Sequence, residues 1–151
     1  MSDLITDDIR AWIGRADPPL EFEVTRRDIV KYAIATEQRQ AKYLAGDEAP
    51  PMFLFGADRP LVGLDELGPD GLRRDTLTPE LPLKRVMAGG IRQRYHRPIR
   101  AGDRLVIEKS ITDIYEKQGS SGPLIFVVYE ITVKTADGEL VMQETQTRIN
   151  R

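Results

Sequence analysis

Imidazole chemistry in this chain has one possible carrier, because His96 is the single histidine among 151 residues. Sites that need two imidazoles, such as a His-rich zinc centre, are excluded, and one imidazole base near neutral pH remains. The chain has no cysteine, which removes thiolate nucleophiles, disulfides and Cys-ligated zinc or iron–sulfur sites. Neither a metal site nor a cofactor is expected. A second concentration of chemistry is cationic: Lys84, Arg85, Arg92, Arg94, Arg97, Arg100 and Arg104 stand in one stretch with a single acid, Asp103. Guanidinium groups are well shaped for phosphate oxygens. Arg92, Arg94, Arg97 and Arg100 are therefore candidate contacts for the phosphates of a ligand. The competing reading makes Arg92 and Arg94 the solvent face of a strand. The net charge of −2 exerts no general pull toward nucleic acid or an anionic membrane.

These groups must be held by a mixed scaffold. The length suits one domain over residues 1–151 with its own core, with residues 1–20 as an N-terminal helical extension. Ile5, Ile9, Trp12 and Ile13 share one side of a helix that Asp17-Pro18-Pro19 stops. After an extended piece from Leu20 to Val24, Thr25 stands as an N-cap with Asp28 three residues on. That pattern predicts a helix from Arg26 to about Leu44, whose apolar face turns polar over residues 37–42. Gly and Pro breaks from Gly56 to Pro82 predict a long irregular loop with one helical turn.

Four strands are expected next, over Lys84–Tyr95, Arg104–Lys117, Pro123–Thr135 and Glu139–Ile149. Ile125, Val127, Tyr129, Ile131 and Val133 alternate, which marks the third as central. Gly89-Gly90 marks a bulge or close backbone approach, and Asp137-Gly138 suits a type I′ hairpin turn. Gly119-Ser120-Ser121-Gly122 joins two strands and lacks the Lys of a phosphate loop. Helices followed by a four-strand antiparallel meander make an α+β domain. Pattern alone leaves two architectures open: a hot-dog, in which an antiparallel sheet wraps a central helix, and an NTF2-like cone.

The segment Tyr95-His96-Arg97-Pro98-Ile99-Arg100-Ala101-Gly102-Asp103-Arg104-Leu105 resembles a strand–turn–strand segment of the MaoC-like acyl dehydratases, particularly the N-terminal-type domain shared with fungal fatty-acid synthase. Val24-Thr25 with Asp28-Ile29, Ala35-Thr36, and Ala49-Pro50-Pro51-Met52-Phe53 follow in the same order, so the likeness runs from Phe22 to Ile149. It implies the hot-dog fold. It also implies a Gly-Asp-x-Asn-Pro-x-His motif after the first helix. There the Asp and His activate water for addition to an enoyl thioester, or its removal, while a backbone N–H polarises the carbonyl. Laid on this chain, the motif falls on Glu37, Gln38, Arg39, Gln40, Ala41, Lys42 and Tyr43. Gln replaces Asp and Tyr replaces His. Glu37 and Tyr43 are the substitute catalytic candidates at those positions, with His96 as a third. An ordinary phenol ionises only near pH ~10, which makes Tyr43 a poor base at neutral pH. The resemblance sets His96 on a strand away from the motif.

The resemblance therefore implies a subunit of an acyl-thioester (enoyl-CoA type) hydratase or dehydratase without its own dyad. Such a subunit contributes acyl or coenzyme A binding beside a MaoC-like partner with an intact motif. The implied thioester makes the phosphates of coenzyme A or of an acyl-carrier prosthetic group the ligand expected for Arg92, Arg94, Arg97 and Arg100. A homodimeric acyl-thioester binding module is the alternative of a different class. An NTF2-like isomerase or ligand-binding cone is a third reading, and would need an acid in an apolar cavity, for which Asp113 is the candidate. The acidic N-terminus carries no secretory pattern, and no stretch reaches membrane-spanning length. A cytoplasmic location, no membrane partner and no nucleic-acid partner are expected.

Overall fold

The computed structural model describes residues 4–55 and 59–151. Residues 1–3 of the expected N-terminal helix and 56–58 of the expected loop lie outside it. The elements in chain order are α1 (Asp7–Arg10), β1 (Leu20–Glu23), α2 (Arg26–Ala35), α3 (Ala41–Leu44), a 3-10 turn (Leu64–Glu66), β2 (Val86–Tyr95), β3 (Arg104–Gly119), β4 (Gly122–Thr135) and β5 (Leu140–Asn150). All five strands form one antiparallel sheet in the order β1-β3-β4-β5-β2.

The four predicted strands are present, and β4 is central, but they are not a simple meander. β2 pairs with β5 and not with β3, so residues 96–103 carry the chain from one side of the sheet toward the other. Directly opposed residues of antiparallel strands share a face. By that rule Leu105, Ile107, Ile111 and Ile114 of β3 lie beside Ile125, Val127, Tyr129, Ile131 and Val133 of β4, and all nine are buried. Gly89 is the bulge residue of β2: a Cβ there would meet the Thr147 carbonyl at 3.0 Å and Ile149 Cγ1 at 2.9 Å. The β4–β5 turn differs from expectation. Gly138 alone in the turn has positive φ (96°), its N–H reaches Thr135 O at 2.9 Å, and the Thr135 N–H reaches Glu139 O at 2.8 Å. That is a three-residue loop with a G1 bulge, because Asp137 keeps negative φ and a type I′ turn needs both central residues positive.

Thr25 caps α2 as predicted: its hydroxyl accepts the Asp28 N–H at 3.1 Å and donates to Asp28 Oδ2 at 2.6 Å. α2 buries Ile29 and Ala33. The N-terminal helix is shorter than expected, ending at Arg10. Gly14, with φ of 89°, turns the chain so that its N–H reaches Ile111 O on β3. The long irregular segment has its one 3-10 turn, and its last part lies on the sheet. Leu77 and Leu81 are buried there, Tyr129 Oη donates to Leu77 O at 3.1 Å, and Asn150 Nδ2 donates to Leu83 O at 3.0 Å. Among the described residues no helix is long and apolar enough to cross a membrane.

Candidate functional site

The expected helix from Arg26 to Leu44 is broken at the dehydratase-motif positions. α2 stops at Ala35, where the Glu37 N–H bonds Ile34 O at 3.1 Å and the Gln38 N–H bonds Ala33 O at 2.9 Å. This pair of bonds is a Schellman closure, and it places Glu37 at its left-handed position, with φ of 55°. Glycine favours that position, and glycine is what the motif carries there. Glu37 is exposed. Tyr43 rides the short α3 and is 8% exposed, with Lys42 Nζ 4.9 Å from its ring centroid and bonded to Glu48 at 2.9 Å.

Tyr43 faces a cavity of about 270 Å³ that it shares with Glu48, Pro51, Tyr95, His96 and Arg97. The sequence reading separated His96 from the motif. The structure brings it to the same cavity as Tyr43, because β2 runs beside β5 and ends next to the segment 49–51. His96 follows β2: its N–H reaches Val141 O at 2.8 Å, and Nε2 lies 3.0 Å from Gln143 Oε1. Glu37 does not line this cavity.

Sequence reasoning overlooked the polar network behind that wall. Tyr95 Oη accepts the Met52 N–H at 3.2 Å and donates to Gln93 Oε1 at 3.0 Å. Gln93 Nε2 donates in turn to Glu144, which also accepts from Gln146 Nε2. Glu144 is 6% exposed. Being acceptor-only when ionised, it orients both amides, so the Tyr95 hydroxyl donates to Gln93 and its lone pair receives the strained Met52, whose φ is 67°. Burial pushes the Tyr95 phenol above its ordinary value, against the Met52 hydrogen bond. A signal existed in the sequence: Gln93 and Tyr95 recur at period two, as do Glu144 and Gln146.

The four candidate arginines part company. Arg97 is half-buried, with its guanidinium committed to Asp103 at 2.9 and 3.2 Å, to Pro98 O at 2.8 Å and to Glu139 at 3.4 Å. It clamps the reversal in which Gly102 takes φ of 92° and the Arg100 N–H donates to Asp103 at 2.8 Å. Burial works to raise the Asp103 carboxyl, but the hydrogen bonds from Arg97 and Arg100 and their charges outweigh it, and its pKa falls below the ordinary value. Arg92, Arg94 and the Arg100 side chain are exposed, and none forms an ion pair among the described residues. Arg92 and Arg94 oppose Thr145 and Gln143 on the face of the sheet away from α2. Asp113, the acid that a cone-type site required, is exposed at the β3 bulge. Among the described residues no cluster of three metal-ligating side chains occurs.

Residues 11–144 match the family model described as the FAS1-like dehydratase domain region. The chain belongs to that family. It is 32% identical over 121 residues to mesaconyl-C(4)-CoA hydratase of Chloroflexus aurantiacus, a match over 80% of this chain but only 43% of that protein's length. A UPF0336 protein of Thermobifida fusca is 32% identical over 146 residues, covering 88% of this chain and 87% of that one. In structure, the chain is similar to one in the HadBC (3R-hydroxyacyl-ACP dehydratase) complex of Mycobacterium tuberculosis. The TM-score is 0.67 at 21% identity, over 92% of this chain and 97% of that one. The fold of this FAS1-like domain is the hot-dog of MaoC-like dehydratases, which sets aside the NTF2-like cone.

Proposed function

We infer that this chain is the non-catalytic half of an acyl-thioester hydratase or dehydratase, paired with a MaoC-like chain that carries the Asp and His. The observation that carries this reading is the motif segment. Gln38 and Tyr43 stand at the two catalytic positions, and Tyr43 is packed under Lys42 at the cavity wall. Neither of those two positions carries a carboxylate or an imidazole to activate water. A partner has a surface to meet: β2 is an edge strand with Val86, Met87, Ile91 and Tyr95 exposed beside its open hydrogen-bonding edge. Apolar side chains on an uncovered edge are a pairing surface, and β2 ends at the cavity. In this reading Arg92, Arg94 and Arg100 are free to meet the phosphates of a coenzyme A or carrier arm.

The test is hydration of a panel of 2-enoyl-CoA thioesters, followed by loss of enoyl absorbance, with the chain alone and co-purified with a MaoC-like chain of intact motif. Activity only in the pair supports the half-enzyme. No activity in either preparation, with thioester binding retained by the chain alone, leaves the homodimeric binding module. A second catalytic reading rests on one specific observation, the shared cavity of Tyr43 and His96. It requires hydration by the chain alone that disappears in Tyr43→Phe or His96→Gln.

A further inference from the structure

A second and larger depression, of about 880 Å³, lies between β1, α2 and residues 59–61. It shares the Pro50–Phe53 turn with the cavity at Tyr43: Pro51 borders the first and Phe53 the second. Its volume is in the range of small-molecule sites. Its floor is aromatic and already ordered. Phe22 and Phe53 meet at 6.2 Å with a tilt of 57°, and Tyr32 meets Phe53 edge-on at 5.7 Å and 88°. The Tyr32 hydroxyl is 3.5 Å from Pro51 O, which fixes the ring against the turn. Ala35, at the end of α2, leaves room on one wall. At the mouth Phe55 is 52% exposed and Leu61 is fully exposed, so apolar surface stands uncovered where an occupant would seal it.

The shape and lining select the occupant. An alkyl chain gains only buried area, whereas a flat ring system gains offset and edge-to-face contact with three ordered rings as well. The charges at the rim select what is attached to it. Lys31 and Arg59 line the groove and form no ion pair or side-chain hydrogen bond among the described residues. Of the two acids beside them, Asp28 is held by the Thr25 hydroxyl, leaving Glu21 as the one uncommitted carboxylate. Two free cations suit a phosphate-bearing arm leaving the groove.

We propose that this groove binds the ring-containing acyl part of a thioester, with its phosphate-bearing carrier arm passing Lys31 and Arg59. The proposal rests on the acyl-thioester reading above, adds the kind of acyl group to it, and moves the phosphate contacts of the arm from Arg92, Arg94 and Arg100 to Lys31 and Arg59. The test is calorimetric titration of the chain alone with 2-naphthoyl-CoA, decanoyl-CoA and coenzyme A. 2-Naphthoyl-CoA binds about three- to tenfold more tightly than decanoyl-CoA, the factor expected of aromatic pairing beyond area. Ala35→Trp fills the groove and removes the acyl contribution. Phe55→Ser, at an exposed position that leaves the fold intact, weakens 2-naphthoyl-CoA more than coenzyme A. Lys31→Glu with Arg59→Glu weakens all three ligands. Equal or tighter binding of decanoyl-CoA, no saturable binding, or binding untouched by Ala35→Trp and Phe55→Ser overturns the proposal. Hydration of straight-chain enoyl-CoA by the paired chains, without naphthoyl selectivity, sinks the groove and spares the half-enzyme. Naphthoyl-CoA binding by a chain that never supports hydration does the reverse.

Discussion

β4 and β5 are neighbours on the same face of the same sheet, yet they are held by different physics. β4 presents Ile125, Val127, Tyr129, Ile131 and Val133, of which only Tyr129 has a polar atom. β5 presents Met142, Glu144, Gln146, Arg148 and Asn150 to that face. Ile131 and Glu144 are direct cross-strand partners, 2% and 6% exposed. A hydrocarbon column is indifferent to what covers it, provided water is excluded. A polar column must find particular partners. Arg148 bonds Thr78 at 3.1 Å and lies 3.5 Å from Asp75, Asn150 bonds Leu83 O, and Glu144 collects the amides of Gln93 and Gln146. β4 therefore supplies the bulk of the cohesion, and β5 specifies where the 75–83 segment and β2 lie.

Ile131→Ala tests the hydrocarbon side of that contrast and carries the largest expected effect. A buried Ile cut to Ala loses transfer energy and leaves a cavity, about 2–5 kcal/mol in urea unfolding. A cost under about 1 kcal/mol would mean that the column is loosely packed. Glu144→Ala tests the polar side, by leaving two half-buried amide donors without their acceptor, at about 1–3 kcal/mol. Glu144→Gln, which keeps shape and one acceptor, recovers part of this. Should Glu144→Ala cost no more than an exposed substitution, the network does not position β2.

The Arg97–Asp103 clamp is a polar device in a more exposed place and sharpens the contrast through pH. Asp103 has a folded pKa below its ordinary value of about 3.9. Its contribution is therefore complete above the unfolded pKa and is lost as pH falls through the lower folded value. Asp103→Asn is expected to cost about 1–2 kcal/mol at pH 7. The gap from the parent closes as the pH falls below about 4 in denaturant titrations. A gap independent of pH would assign the loss to the turn and not to the charge.

The hydrocarbon side was also the legible side. Period-two alternation over Ile125 to Val133 is local, so β4 could be read and set at the centre of the sheet. Strand bounds were legible to within a few residues for the same reason. Strand order was not: nothing within Val86–Tyr95 says that it will pair with β5 across the sheet and not with β3. The meeting of Tyr43 with His96 depends on that order, so it was invisible too. Arg97 looked like a ligand contact because its partner is met only once the turn is folded. Glu144 was passed over because a lone acid in a strand reads as solvated until its neighbours are known.

The break after α2 is the smallest effect and the one where local sequence and structure disagree most. Arg26 to Leu44 reads as one helix, with no glycine to end it before Gly46. The chain nevertheless closes a Schellman motif with Glu37 at the left-handed position. A side chain there clashes with its own backbone at about 1 kcal/mol, and glycine does not. Glu37 is exposed and forms no ion pair among the described residues, so removing its side chain loses little else. Glu37→Gly is expected to stabilise the fold by about 0.5–1 kcal/mol, offset in part by the freedom glycine adds to the unfolded chain. The same variant should leave the activity of the paired chains unchanged. Stabilisation without loss of activity makes the strain an accident of replacing the motif's glycine. Stabilisation with loss of activity would mean that the carboxylate is held at the break for use, as strained residues at functional sites often are.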